Sequence, residues 1–278
     1  MATVAAPARA VGPTRLVYFD DMWALRSDAI VIAVHQVCFS PSSQGTNANK
    51  PPEAEEGGRR AVVLDATVFH PQGGGQPADT GVISAGGARF LVEDARTKDG
   101  VVFHYGRFEG CSGGHEFNEG EKVALEVDAE RRSLNSRLHS AGHLLDICTR
   151  NVGLSHLEPG KCYHFPDGAF VEYKGVIPPD QIQDKKNELE REANKLISEG
   201  EKVLVSVFPY EEAANLCGGS LPSYIPKDST PRIVKFGDHP GCPCGGTHVA
   251  DFSDINNLKV TNVRVKKGLT KVSYSISP

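Results

Sequence analysis

DAERRSLNSRLHSAGHLLDICTRNVG, residues 128–153, is where the chain changes texture. Asp128 suits a helix N-cap, because its short carboxylate can accept from the exposed first-turn N–H groups. Behind it, apolar side chains fall at Leu134, Leu138, Leu145 and Cys148, the spacing of one helical face. Gly153 is the kind of residue at which helices stop, since it enters the left-handed region without a steric cost. The stretch predicts a helix of about five to six turns.

Upstream the texture is different. Leu16–Phe39, Ala61–Phe69, Gly81–Ser84, Arg89–Asp94, Val101–Arg107 and Glu121–Val127 are short blocks rich in β-branched and aromatic residues. Gly-rich turns separate them and no helical period runs through them, which predicts a small β-barrel-like domain over 15–127. Residues 40–60 hold Ser, Pro, Gly, Asn and charge with little to bury, and are expected to form a flexible insertion.

Downstream of Gly153, Tyr163–Phe165 and Ala169–Tyr173 flank Pro166-Asp167-Gly168 as a hairpin would. Residues 179–198 are amphipathic, with Ile182, Leu189, Ala193 and Leu196 on one stripe. Val203–Phe208, Ile233–Phe236, Leu258–Lys266 and Thr270–Ile276 read as antiparallel strands. Strands and helices mixed without a βαβ rhythm predict an α+β domain over 128–278.

At roughly 100–200 residues per domain, 278 residues allow these two domains. No apolar run approaches the ~18 residues of a membrane span, so no membrane partner is expected. A formal net charge of −5 disfavours general nucleic-acid binding but not contact with a single RNA end. Seven cysteines, odd in number and scattered, read as reduced thiols rather than a disulfide framework. Residues 1–14 are rich in Ala, Pro and Arg without a convincing amphipathic stripe. They are expected to be a disordered tail rather than a transit peptide, which favours the cytoplasm over an organelle.

The chemistry sits in two half-sites. His139 and His143, four apart on the long helix, present two imidazoles on one face about 6 Å apart along the axis. Such a pair arises by chance too often to stand alone. A second half follows a hundred residues later in Cys244-Gly245-Gly246-Thr247-His248, where two glycines allow a tight return of Cys and His onto one ion. Cys and His together suit Zn²⁺. The helix reads His-Ser-Ala-Gly-His and so lacks the glutamate of His-Glu-x-x-His metalloproteases. The deaminase pattern of Pro-Cys-x-x-Cys beside His-x-Glu is missing too.

His139-Ser-Ala-Gly-His-Leu-Leu145 with Pro243-Cys-Gly-Gly-Thr-His-Val249 resembles the editing domain of alanyl-tRNA synthetases and their free-standing AlaX-type relatives. His70-Pro-Gln-Gly-Gly-Gly-Gln-Pro-Ala-Asp-Thr-Gly81 resembles the Gly-rich motif of the β-domain that precedes it. The resemblance implies a β-rich first domain and an α+β editing domain of the threonyl/alanyl second-additional-domain type. It implies one Zn²⁺ held by His139, His143, Cys244 and His248. It also implies hydrolysis of the ester in seryl-tRNA(Ala), with glycyl-tRNA(Ala) as a second substrate. The partner is then the acceptor end of mischarged tRNA(Ala), and no ATP is called for. The ion either activates the attacking water or only orients the substrate.

Within that frame Gly245 and Gly246 are candidates for oxyanion donors, Thr247 for the serine hydroxyl, and Glu158 for a polar pocket group. Gly73, Gly74, Gly75, Gln76 and Arg137 are candidates for the substrate or tRNA. Plainer readings stand beside these: Gly73–Gly75 as a hairpin turn, Cys242 as an incidental thiol, and His70, His156, His164 and His239 as solvent-facing or merely hydrogen-bonded. Two other functions compete, an inactive tRNA-binding adaptor with structural zinc and a deacylase for a different mischarged tRNA. The Gly-rich domain favours the alanine system.

Overall fold

The computed structural model describes residues 12–37, 58–110 and 116–277. The expected tail up to residue 11 and the bulk of the expected 40–60 insertion lie outside the described residues. By contact the chain divides into two units: residues up to 72 with 78–129, and residues 73–77 with 130–278.

The first unit begins with β1 (Arg15–Leu16) and the short helix α1 (Val17–Asp20), then β2 (Arg26–Gln36), β3 (Arg60–Leu64) and β4 (Ala66–Thr67). β5 (Gly81–Ala85), β6 (Ala88–Lys98), β7 (Val101–Phe108) and β8 (Lys122–Val127) complete it. Strands β2-β3-β7-β6-β5-β8 close into a barrel of antiparallel neighbours, so no long edge is left to pair with another chain. Alternation in β8 shows why: Val123, Leu125 and Val127 turn inward while Lys122, Ala124 and Glu126 face out. They meet Val31, Leu64, Phe69, Ile83 and Phe90 in one apolar core.

Two local expectations change. The strand read from Leu16 is a turn of helix over Val17–Asp20 that seals Tyr18 at 2% exposure. Thr14, expected in the tail, is buried, and its hydroxyl donates to the Leu64 carbonyl and accepts from the Val102 N–H.

The second unit contains α2 (Ala129–Asn151), β9 (Glu158–Tyr163), β10 (Phe170–Lys174), α3 (Ile182–Glu199), β11 (Val203–Val207) and α4 (Tyr210–Leu216). It ends with β12 (Arg232–Phe236), β13 (Cys242–Pro243), β14 (Leu258–Lys266) and β15 (Leu269–Ile276). Strands β14-β15-β10-β9 form one antiparallel sheet and β11-β12-β13 a smaller one. The apolar stripe of α3, Leu189, Ala193, Leu196 and Ile197, is buried, and the helix packs along β14. The hairpin expected around Pro166–Gly168 exists, but its first strand starts earlier, at Glu158.

The architecture is therefore α+β, a closed six-stranded barrel followed by a mixed unit built around α2. Among the described residues no helix is long and apolar enough to cross a membrane.

Candidate metal centre

Helix α2 is buried along most of its length, and its polar side chains in the interior need partners. His139 is 2% exposed and stands one turn before His143, with ring centroids 5.0 Å apart. The other pair arrives through the small sheet. β13 pairs with β12 at Ile233↔Pro243 and Val234↔Cys242, which sets the start of the Cys244–His248 loop. The Arg232 guanidinium then donates to the carbonyls of Cys244 (2.7 Å) and Gly246 (2.9 Å) and pins the loop.

His139, His143, Cys244 and His248 each aim one donor atom at a common point, all four atoms within 4.8 Å of one another. Cys244 Sγ lies 3.5 Å from His139 Nε2 and 3.4 Å from His248 Nε2. A zinc tetrahedron with Zn–N of ~2.1 Å and Zn–S of ~2.3 Å has edges of ~3.4–3.6 Å. The four residues therefore fit that ion in donor type, and these two distances fit its edges. His143 Nε2 is buried without a hydrogen-bond partner, a state that an ion at this point would relieve.

Electrostatics agree with a ligand role. Burial pushes the His143 imidazole down to about 4, so it stays neutral and keeps a lone pair. Burial pushes the Cys244 thiol up to about 11, against the pull of the Gly246 N–H and of Arg232. A dication at the cluster would reverse that shift and hold the sulfur as thiolate.

Each candidate ligand is oriented from behind. His139 Nδ1 donates to Gln76 Oε1 at 2.8 Å, which leaves Nε2 as the lone-pair nitrogen. The same Oε1 accepts from the Thr247 N–H at 3.0 Å, and Gln76 Nε2 donates to Thr247 Oγ1 at 2.8 Å. Ser136 Oγ joins Thr247 Oγ1 at 2.7 Å. His248 Nδ1 meets Ser140 Oγ at 3.2 Å, and His143 Nδ1 meets Cys242 Sγ at 3.3 Å. Gly246 has no room for a side chain, since a Cβ there would stand 2.2 Å from His139 Cε1.

Beside the cluster is a cavity of about 600 Å³, walled among others by His139, His143, Gly74, Gly245, Asp146 and His164. Burial raises the Asp146 carboxyl to about 6, against the hydrogen bond that Tyr173 donates to it at 2.8 Å. His164 is 2% exposed and stacks on His139 with centroids 4.6 Å apart and planes 27° from parallel. Burial, helped by His143, pushes its imidazole down to about 3. Gly142 is the reason the ring fits, because a Cβ there would come within 2.3 Å of His164 Cε1.

The remaining sequence candidates fall into place unevenly. Gly73 and Gln76 close a tight turn through paired backbone bonds, and Gly74 reaches the cavity wall. Gly75 has φ +80 and lies so close to Cys162 that a Cβ would sit 2.8 Å from its carbonyl. Gln76 is fully buried behind His139, not at the cavity surface. Thr247 is also fully buried, its hydroxyl shared between Gln76 and Ser136. The Gly246 N–H points to Cys244 Sγ at 3.5 Å, so of the two glycines only Gly245 lines the cavity. Glu158 is exposed at the start of β9, and the neighbouring wall is Pro159 to Cys162. Arg137 donates to the carbonyls of Ile255 and Ser277, tying α2 to the segments before β14 and after β15. Ser136, Asp146, His164 and Tyr274 were not singled out as site residues. Ser136, one turn before His139, and Asp146, one turn after His143, carried the local signals among the four.

Two family models match the chain: class II (A) tRNA synthetases over residues 38–131, and the threonyl and alanyl tRNA synthetase second additional domain over 232–272. Alanyl-tRNA editing protein AlaX-L of Pyrococcus horikoshii is 34% identical over 80% of this chain and 52% of its own length. Alanine--tRNA ligase of Methanothrix thermoacetophila is 32% identical over 77% of the chain, and that of Halobacterium salinarum 31% over 94%. The chain thus spans about half the length of AlaX-L and 23% and 26% of those two ligases. Most of the barrel and the Cys-Gly-Gly-Thr-His loop fall inside the two matched stretches, and the chain fits the AlaX-type relatives of alanine--tRNA ligase.

Proposed function

We propose that this protein is a deacylase that hydrolyses the ester linking the wrong amino acid to tRNA(Ala), with seryl-tRNA(Ala) as its main substrate and glycyl-tRNA(Ala) as a second. The observation that carries the reading is a partly buried three-His, one-Cys cluster opening on a cavity of about 600 Å³, in a chain related to an alanyl-tRNA editing protein. That volume is within the usual range for small-molecule sites and suits the aminoacyl end of a tRNA.

His139, His143, Cys244 and His248 would hold one Zn²⁺, which supplies Lewis acidity and a fixed positive charge at the reacting ester. Gln76 and Ser140 keep the ligand rings turned the right way. Gly74 and Gly245 let backbone approach the substrate closely, and the Asp146 carboxyl on the cavity wall offers a partner for the α-ammonium group. In the reaction, water oxygen bonds to the ester carbonyl carbon, the bond to the ribose oxygen breaks, and that oxygen leaves with a proton. Free amino acid and uncharged tRNA result.

The test is release of amino acid from seryl-, glycyl- and alanyl-tRNA(Ala) by zinc-loaded wild-type protein and by His139→Ala. Rapid loss of serine, sparing of alanine and a loss of at least 10²-fold in the variant are expected on electrostatic grounds. If zinc-loaded protein cleaves none of the three, the catalytic reading is wrong and a tRNA-binding role replaces it.

A further inference from the structure

His164 has a defined tautomer. Tyr274 Oη lies 2.9 Å from the Leu138 carbonyl, which can only accept, so the phenolic proton is spent there. The same oxygen lies 2.6 Å from His164 Nδ1, and it must accept in that second contact. Nδ1 therefore carries the ring hydrogen, and Nε2 carries the lone pair. Gly142 lies under the Nδ1–Cε1 edge, the backbone N–H of His164 is fixed on the Gly75 carbonyl at 2.8 Å, and one ring face stacks on His139. The ring cannot turn over without breaking these contacts. Its place on the cavity wall makes Nε2 a preset acceptor beside the metal cluster.

The polar groups that hold the cluster are committed. Thr247 Oγ1, both ends of the Gln76 amide and Ser140 Oγ are all engaged in holding ligands or the loop. Asp146, an acid on the same wall, is the natural partner for an ammonium group. The Nδ1 partner of His164 is a phenol, not the carboxylate that backs a histidine meant to carry a proton. What remains for Nε2 is a neutral donor on the substrate.

We infer that His164 is the specificity-determining residue that accepts a hydrogen bond from the side-chain hydroxyl of the aminoacyl group. The inference rests on the deacylase reading above. It divides the substrates cleanly: serine has the hydroxyl, glycine lacks it, and the two share every other reacting atom. A site that hydrogen-bonds a hydroxyl discriminates strongly against analogues without one, because its own polar group is otherwise left unpaired.

The experiment compares kcat/KM for seryl-tRNA(Ala) and glycyl-tRNA(Ala) in wild type, His164→Phe and His164→Gln, each checked for zinc content. His164→Phe keeps an aromatic ring on His139 and removes the acceptor. Serine release should fall about 10- to 100-fold while glycine release stays within about threefold. His164→Gln, with a polar atom near the Nε2 position, should recover part of the serine rate. Equal losses on both esters would make His164 a general or structural contributor and overturn the inference, as would no loss on either. Should His164→Phe fail to retain zinc, the serine-to-glycine ratio of His164→Gln decides: a drop below the wild-type ratio supports the inference, and an unchanged ratio removes it. Wild-type protein that cleaves neither ester would instead remove the deacylase reading, a result separable from both.

Discussion

Replacing Gln76 by Ala should cost both the fold and the metal. The wild-type amide is fully buried and makes three contacts: it accepts from His139 Nδ1 at 2.8 Å and the Thr247 N–H at 3.0 Å, and donates to Thr247 Oγ1 at 2.8 Å. Truncation strands two buried donors at about 1–3 kcal/mol each, so about 2–6 kcal/mol is at stake before relaxation. The His139 ring also loses the acceptor that sets its tautomer, and losses of this kind weaken metal affinity about 10- to 100-fold. Competition against a fluorescent zinc chelator at fixed pH measures the affinity, and denaturant unfolding of the zinc-loaded protein measures the stability. Gln76→Glu is the control, because a carboxylate can still accept from both His139 and Thr247. It should lie nearer to wild type than Gln76→Ala does. A zinc constant for Gln76→Ala within twofold of wild type would refute the claim that this amide orients His139.

Two further outcomes are expected. Gly246→Ala would push a methyl group into His139 Cε1 at 2.2 Å and Gln76 Oε1 at 2.7 Å, and overpacking of this kind costs about 1–3 kcal/mol or more. Reduced zinc content and a lower melting temperature should follow, and an unchanged melting curve would count against the tight approach. In the barrel, His104 donates from Nδ1 to the Val62 carbonyl at 3.0 Å and meets Thr67 Oγ1 at 2.7 Å from Nε2. Burial lowers its pKa from 6.5 to about 4, so the unfolded chain takes up the proton first. Its stabilising contribution is complete above pH 6.5 and declines as the pH falls toward 4, by about 3 kcal/mol in all. Unfolding of wild type and His104→Gln between pH 7 and pH 4 tests this, and parallel stability curves would contradict it.

Sequence spacing made the four clustered side chains legible because each half of the cluster is local. His139 and His143 share one helical face, and Cys244 and His248 share one glycine turn, so period and composition speak directly. The barrel strands announced themselves by alternation, as Val123, Leu125 and Val127 show. What failed to show was long-range or short. Gln76 supports a histidine 63 positions away, and His164 finds a tyrosine 110 positions away, and no local pattern encodes such pairs. The four-residue helix Val17–Asp20 has the composition of a strand and is fixed by the burial of Tyr18. Helix Tyr210–Leu216 lies outside the expected elements, although Pro209 at its cap and Glu211 and Glu212 in its first turn are start signals.

The turn of residues 73–77 belongs by contact to the second unit, although it is embedded in the sequence of the first. A fragment starting at Glu130 would own all four metal ligands and yet lack the amide that steers one of them. Proteolysis between Pro77 and Glu130 would sever ligand from support while leaving the ligand set intact. The clustered side chains and the amide that supports one of them thus come from separate stretches of chain, so a cut between them removes the support while the cluster keeps all four of its donors.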